Sequence, residues 1–141
     1  MPRLSQAEAW RLLGDARVAR LATVTSQGTP HIVPVTFAVR DSVLYTAVDA
    51  KPKSTRALRR LDNVRRHPTV ALLADHYDDD WDALWWVRAD GRARVIDDPG
   101  ELAGPVGLLA ERYPQYRDIP PAGPVIMVVI ERLAGWIARG Q

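Results

Sequence analysis

The stretch KPKSTRALRRLDNVRRHP, residues 51–68, sets seven lysine and arginine side chains against one acid, Asp62. Side chains of this kind hold anions, because ammonium and guanidinium groups make charge-assisted hydrogen bonds and hydroxyls add further donors. Within the stretch, Ala57, Leu61 and Val64 recur at i, i+4 and i+7, which predicts a short amphipathic helix capped by Ser54 or Thr55 and stopped at Pro68. A helix start presents unpaired amides and a partial positive charge, and phosphate groups bind there. Lys51, Lys53, Ser54, Thr55, Arg56 and Arg60 are therefore a candidate phosphate cradle. On a helical wheel Arg56, Arg60 and Asn63 lie along one flank of the apolar stripe, where they can face a site. Arg59 and Arg66 point roughly away from it, and Arg59 stays open between the cradle and a solvated face.

Other chemistries are poorly represented. The chain has no cysteine, which removes disulfides, thiolate nucleophiles and cysteine metal sites. His31, His67 and His76 show no spacing that would put two of them on one helical face, so no metal site is expected. The acidic run DHYDDDWD, residues 75–82, lacks the spacing of a calcium loop and reads as solvated. Nucleophile-elbow, Walker and G-x-G-x-x-G patterns are absent, and His31, alone in a strand, reads as a satisfied or exposed side chain rather than a base. No catalytic residue is nominated, and a bound cofactor is expected to supply the reactive atom. Nucleic acid is a competing partner for the basic stretch. It is disfavoured because the aromatic residues stand elsewhere, in WDALWW, and the net charge is only +2.

The elements that must position these residues follow from the patterning. At 141 residues, 47% hydrophobic and 26% charged, the chain is read as one soluble domain over residues 1–141. No apolar run approaches a membrane span and the N-terminus lacks a signal-like core, so a cytoplasmic protein without a membrane partner is expected. Ser5 and Glu8 form a capping box ahead of a helix whose stripe stops at Gly14. VARLATVT, HIVPVTFAV and VLYTAV, separated by turn residues, read as a three-stranded antiparallel meander. Pro34 cannot donate to a ladder, so its strand is an edge or carries a bulge. TVALLAD is a strand, ALWWVRADGRARVI one long strand or a hairpin through Asp90-Gly91, ELAGPVGLLAERY a helix, and PVIMVVIERLAGWIA one or two closing strands. Six to seven strands with few helices predict a mainly β fold, an antiparallel barrel with peripheral helices. Because a strand alternates faces, Trp85 and Trp86 cannot both enter one core, and one of them is expected to face a ligand or a partner subunit.

The order of RLATVTSQGTPHIVPVTFAV, then VLYTAVDAKPKSTRALRRLDNVRRHPTVALLAD, then WWVRADGRARVI resembles the flavin and deazaflavin oxidoreductases related to pyridoxamine 5'-phosphate oxidase. The resemblance runs from about Ala16 to Ile96 and loosely to the end. It implies a split β-barrel of the FMN-binding type, and a homodimer with cofactor sites at the subunit interface. It also implies that Lys51 to Arg60 grip the cofactor phosphate while backbone at Val33, Pro34, Val35 and Thr36 lines the ring system, with Trp86 or Trp85 near the interface. The segment 51–62 is longer than the arginine-lysine pattern of the oxidase itself. Aligning on Pro68 selects Arg59 and Arg60, the wheel selects Arg56 and Arg60, and Arg60 is common to both. The cofactors implied are the deazaflavin coenzyme F420 or FMN, occasionally haem. Its polyanionic tail makes coenzyme F420 the better match to so basic a stretch. The expected activity is hydride transfer between the deazaflavin and an unsaturated organic small-molecule substrate. The alternatives are an FMN-dependent oxidase of a phosphorylated pyridoxine-like amine and a non-catalytic cofactor carrier.

Overall fold

The computed structural model describes residues 3–48 and 55–138, with side chains for all of these but 55–58. The elements run α1 (Gln6–Asp15), β1 (Ala19–Val24), β2 (Pro30–Val35), β3 (Ala38–Arg40), β4 (Val43–Ala47) and α2 (Thr55–Arg66), then β5 (Thr69–His76) and, after a 3-10 turn at Trp81–Ala83, β6 (Trp85–Ile96). α3 (Pro99–Arg112), α4 (Pro114–Asp118) and β7 (Val125–Ile137) complete the chain. The capping box is formed: Glu8 N–H donates to Ser5 Oγ at 3.2 Å, and Ser5 Oγ donates to a Glu8 carboxylate oxygen at 3.2 Å.

The seven strands make one sheet in the order β2-β1-β5-β6-β7-β4-β3. Every pairing is antiparallel. The mainly β fold with peripheral helices is as expected, but the ladder does not close: β2 and β3 stand at its two ends among the described residues.

That order corrects the meander. HIVPVTFAV is two strands: β2 pairs with β1 at one end of the sheet, and β3 pairs with β4 at the other. The chain leaves the ladder at Thr36 and Phe37 and carries Phe37, 0% exposed, through the core. A side chain that large gains more from full burial than the ladder loses by one interruption. Pro34 sits opposite Arg20 in an unbroken register, so of the two readings of its strand the edge holds.

Asp90-Gly91 is no hairpin turn. β6 runs straight through it with a register shift against β7, and a Cβ on Gly91 would lie 2.3 Å from the Val129 carbonyl oxygen. Glycine is there for a bulge with close backbone approach, and the 12-residue strand continues to Ile96. The closing segment is likewise a single strand of 13 residues.

Two clusters form the core. The larger joins Ala9 and Leu13 of α1 and Leu61 and Val64 of α2 to inward residues such as Leu21, Leu44, Leu72, Val87 and Val128. The smaller packs Leu109 and Tyr113 against Ala38, Ala47, Ile96 and Val125. No helix among the described residues is long and apolar enough to cross a membrane.

Candidate cofactor site

The helix α2 begins at Thr55 and its amphipathic pattern is realised, since Leu61 and Val64 are buried in the larger core cluster. Lys51, Lys53 and Ser54 lie outside the described residues, as do the side chains of Thr55 and Arg56. Arg59 is exposed. Arg66 is exposed too and donates to Asp62 at 3.1 Å, which places it on the solvated face.

Arg60 differs from these. Its side chain is half-buried, its Nε is buried without a hydrogen-bond partner, and burial lowers the guanidinium pKa from its ordinary value. One turn on, Asn63 is 2% exposed and donates from Nδ2 to Thr23 Oγ1 at 3.1 Å. Thr23 stands directly opposite His31 in the β1–β2 register, and His31 Nδ1 is buried and unpartnered. The structure thus brings one face of α2 against the inward face of the β1–β2 hairpin, and polar atoms with unused hydrogen-bonding capacity stand along it. A guanidinium desolvated without a counter-charge is costly, and an anion relieves that cost.

Thr23 and His31 were not singled out as site residues by the sequence pattern, and His31 is neither exposed nor fully satisfied. The strand period carried a usable signal: two residues on from buried Leu21, Thr23 must face inward, and its neighbour across the hairpin must do the same.

The edge strand β2 carries Val33, Pro34 and Val35, with Thr36 just beyond it, the other residues that the resemblance implies. Val33 and Thr36 are half-buried, Pro34 is exposed and Val35 is buried. As β2 ends the sheet order, one side of its backbone is free of a strand partner among the described residues and can hydrogen-bond a ring edge.

Its end is held from a distance by the α3–α4 corner. Tyr113 Oη accepts from Phe37 N–H at 3.1 Å and lies within hydrogen-bond distance of the Phe37 and Arg17 carbonyl oxygens, at 3.0 and 2.9 Å. Arg112 donates through Nη1 to the Phe37 carbonyl at 2.9 Å and through Nη2 to the Ala16 carbonyl. Its guanidinium lies 5.0 Å from the Phe37 ring centroid, and burial lowers its pKa. Tyr116 Oη shares a 3.1 Å hydrogen bond with Thr36 Oγ1. Arg112 is thereby committed to main-chain carbonyls, whereas Arg60 is not.

The tryptophan pair divides as the strand period requires. Trp85 packs against the larger core cluster and stacks on His76, with centroids 6.2 Å apart. Trp86 sits on the outer sheet face, opposite Trp136 in register, in a cavity of about 590 Å³ shared with Arg20, Ile32, Asp75 and Arg88. Arg60 and Asn63 reach the sheet from its inner face, so one chain does not bring Trp86 to them. The described residues contain no group of three or more metal-ligating side chains placed to hold an ion.

A family model described as pyridoxamine 5'-phosphate oxidase matches residues 5–136. No curated protein matches the chain. Among solved structures, the chain is similar to a conserved hypothetical protein of Mycobacterium tuberculosis, at 27% identity and a TM-score of 0.76, covering 96% of this chain and 86% of that one. It is similar also to an FAD-binding protein of Mesorhizobium loti, at 22% identity and a TM-score of 0.75, covering 95% of each chain. A heme storage protein of Vibrio cholerae shares the fold at 16% identity and a TM-score of 0.72, covering 94% of this chain and 93% of that one.

Proposed function

Because the chain belongs to the pyridoxamine 5'-phosphate oxidase family, we propose that it is an oxidoreductase built around a phosphorylated flavin-type cofactor. The observation that carries this reading is Arg60, a half-buried guanidinium without an anion partner on the face of α2 that meets the β1–β2 hairpin. The phosphate is assigned to Arg60 with Lys51, Lys53, Ser54, Thr55 and Arg56 around the helix start. The ring is assigned to the free backbone edge of Val33 to Thr36. These groups bind and orient, and the cofactor when bound supplies hydride chemistry that no side chain of this chain offers. Between the cofactors, the deazaflavin coenzyme F420 is favoured over FMN, since seven basic residues against one acid in residues 51–68 suit a longer polyanion. A cytoplasmic setting is part of the same proposal.

We assign the assembly as a homodimer covering the outer sheet face. Supporting this, Ile32 on that face is 64% exposed and adjoins a cavity walled by Trp86 and Trp136. Apolar surface of this kind on a small protein marks an interaction site. A second copy would also bring Trp86 to a cofactor from which its own chain separates it.

Titrating the purified protein with coenzyme F420 and with FMN tests the proposal. Binding of F420 at least about tenfold tighter than FMN is expected, and Arg60→Met is expected to weaken either by about tenfold or more. Tight FMN binding without F420 binding refutes the finer reading, and failure to bind either refutes the whole. Oxidation of reduced cofactor in the presence of a reporter dye separates an enzyme from a carrier.

A further inference from the structure

A cleft of about 320 Å³ opens between Ala47 at the end of β4 and the segment from Gln115 to Ala122. Every described residue lining it is uncharged. Tyr116 and Gln115 bring polar groups, while Pro120, Pro121 and Ile119 make the apolar wall. A few polar groups in a mainly apolar concavity is the usual make-up of a small-molecule site, and this volume is at the lower end for one.

Two hydrogen bonds fasten the walls of the cleft, one of them to the cofactor site. Tyr116 Oη is hydrogen-bonded to Thr36 Oγ1 at 3.1 Å, so one cleft wall is fastened to the backbone assigned to the ring. Val48 N–H donates to the Pro124 carbonyl at 2.9 Å, so the opposite wall is fastened where the chain leaves β4 for the basic segment. One wall of the cleft therefore adjoins the backbone assigned to the ring. Ile119, 78% exposed, stands at the rim, where an apolar side chain is stabilised only once something covers it.

We propose that this cleft is the substrate subsite, taking the uncharged, single-ring-sized part of an organic molecule, with Tyr116 holding its polar edge and Ile119 closing over it. Naming it the substrate side of a cofactor rests on the flavin-type reading above. The ligand class rests only on the cleft itself. A carboxylate or phosphate is disfavoured because no cation lines the walls among the described residues and burial of an unpaired charge is costly.

The test uses 4-fluoroacetophenone and its charged counterpart 4-fluorobenzoate as probes, followed by fluorine NMR and by amide shifts of the protein, with and without FMN. The ketone is expected to bind with a Kd on the order of millimolar, as suits a molecule of its size. Its shifts are expected at Ala47, Tyr116 and Ile119, and the benzoate is expected to bind at least about tenfold more weakly. Ile119→Ser, at an exposed position that the fold tolerates, is expected to weaken the ketone about fivefold. Ala122→Phe, which fills the cleft from its rim, is expected to abolish its binding. Equal affinity for both probes overturns the proposal, as does binding confined to the Trp86 and Trp136 face, or indifference to both substitutions. FMN affinity measured in the same samples keeps the two readings apart. FMN binding without ketone binding defeats this inference alone, while ketone binding without FMN binding defeats the flavin reading and leaves the subsite standing.

Discussion

Tyr113→Phe removes one oxygen and nothing else. The ring is only 6% exposed and phenylalanine fills its place, so no cavity is created. Lost are the acceptor of the Phe37 N–H, at 3.1 Å, and one donor hydrogen that serves the Phe37 carbonyl at 3.0 Å or the Arg17 carbonyl at 2.9 Å. Arg112 still donates to the Phe37 carbonyl at 2.9 Å, so the carbonyl side is compensated. The N–H side is left without this acceptor at a position with 0% exposure. A buried donor left unsatisfied costs about 1–3 kcal/mol. At about 4 °C per kcal/mol for a chain of this size, the melting temperature should fall by about 4–12 °C. Calorimetry reads the fall, and hydrogen exchange reads its location, with the Phe37 amide losing protection ahead of the β5–β6 ladder. A change below about 1 °C with Phe37 still protected would show that the hydroxyl does not hold the crossing between β2 and β3, and the account of how the site is positioned would fail.

Arg60→Met should leave the cofactor-free protein as stable as before or more so, because it replaces a half-buried unpaired cation with an apolar side chain, while cofactor affinity falls; thermal melts with and without cofactor check both. Gly91→Ala forces a methyl group against the Val129 carbonyl and should cost about 1–3 kcal/mol in denaturant unfolding. Arg20→Ala breaks a 2.7 Å ion pair with Asp75 whose two side chains are 47% and 44% exposed, and should change stability by less than about 1 kcal/mol, less still at high salt. On the homodimer proposed above, Ile32→Glu places a charge on the covered outer face and should shift the protein from dimer to monomer in sedimentation without lowering its helix or strand content; a wild-type chain that sediments as a monomer refutes that assembly.

Local chemistry alone determined much of this protein. The Ser5–Glu8 box, the α2 stripe of Leu61 and Val64, the stop before β5 and the opposed faces of Trp85 and Trp86 depend on neighbours a few residues apart, and the chain carries those neighbours with it. Arg60 could be chosen from spacing because the helical period already relates it to the apolar stripe. Pro34 announced an edge or a bulge because a missing N–H is a property of one residue, and the unbroken β1–β2 register decided for the edge.

Tertiary structure decided what depends on partners far along the chain. HIVPVTFAV looks continuous, and only the burial of Phe37 and its contacts with Tyr113 and Arg112, 76 and 75 residues away, divide it between two ends of the sheet. Asp90-Gly91 has the composition of a turn, and only the approach of the Val129 carbonyl makes it a bulge. The pairing of Asn63 with Thr23 spans 40 residues, and Tyr116 reaches Thr36 across 80. Contacts of that length arise when a core closes and selects among conformations that local energies leave nearly equal, which is why the α2 stripe was readable and the partners of Thr23, Thr36 and Phe37 were not.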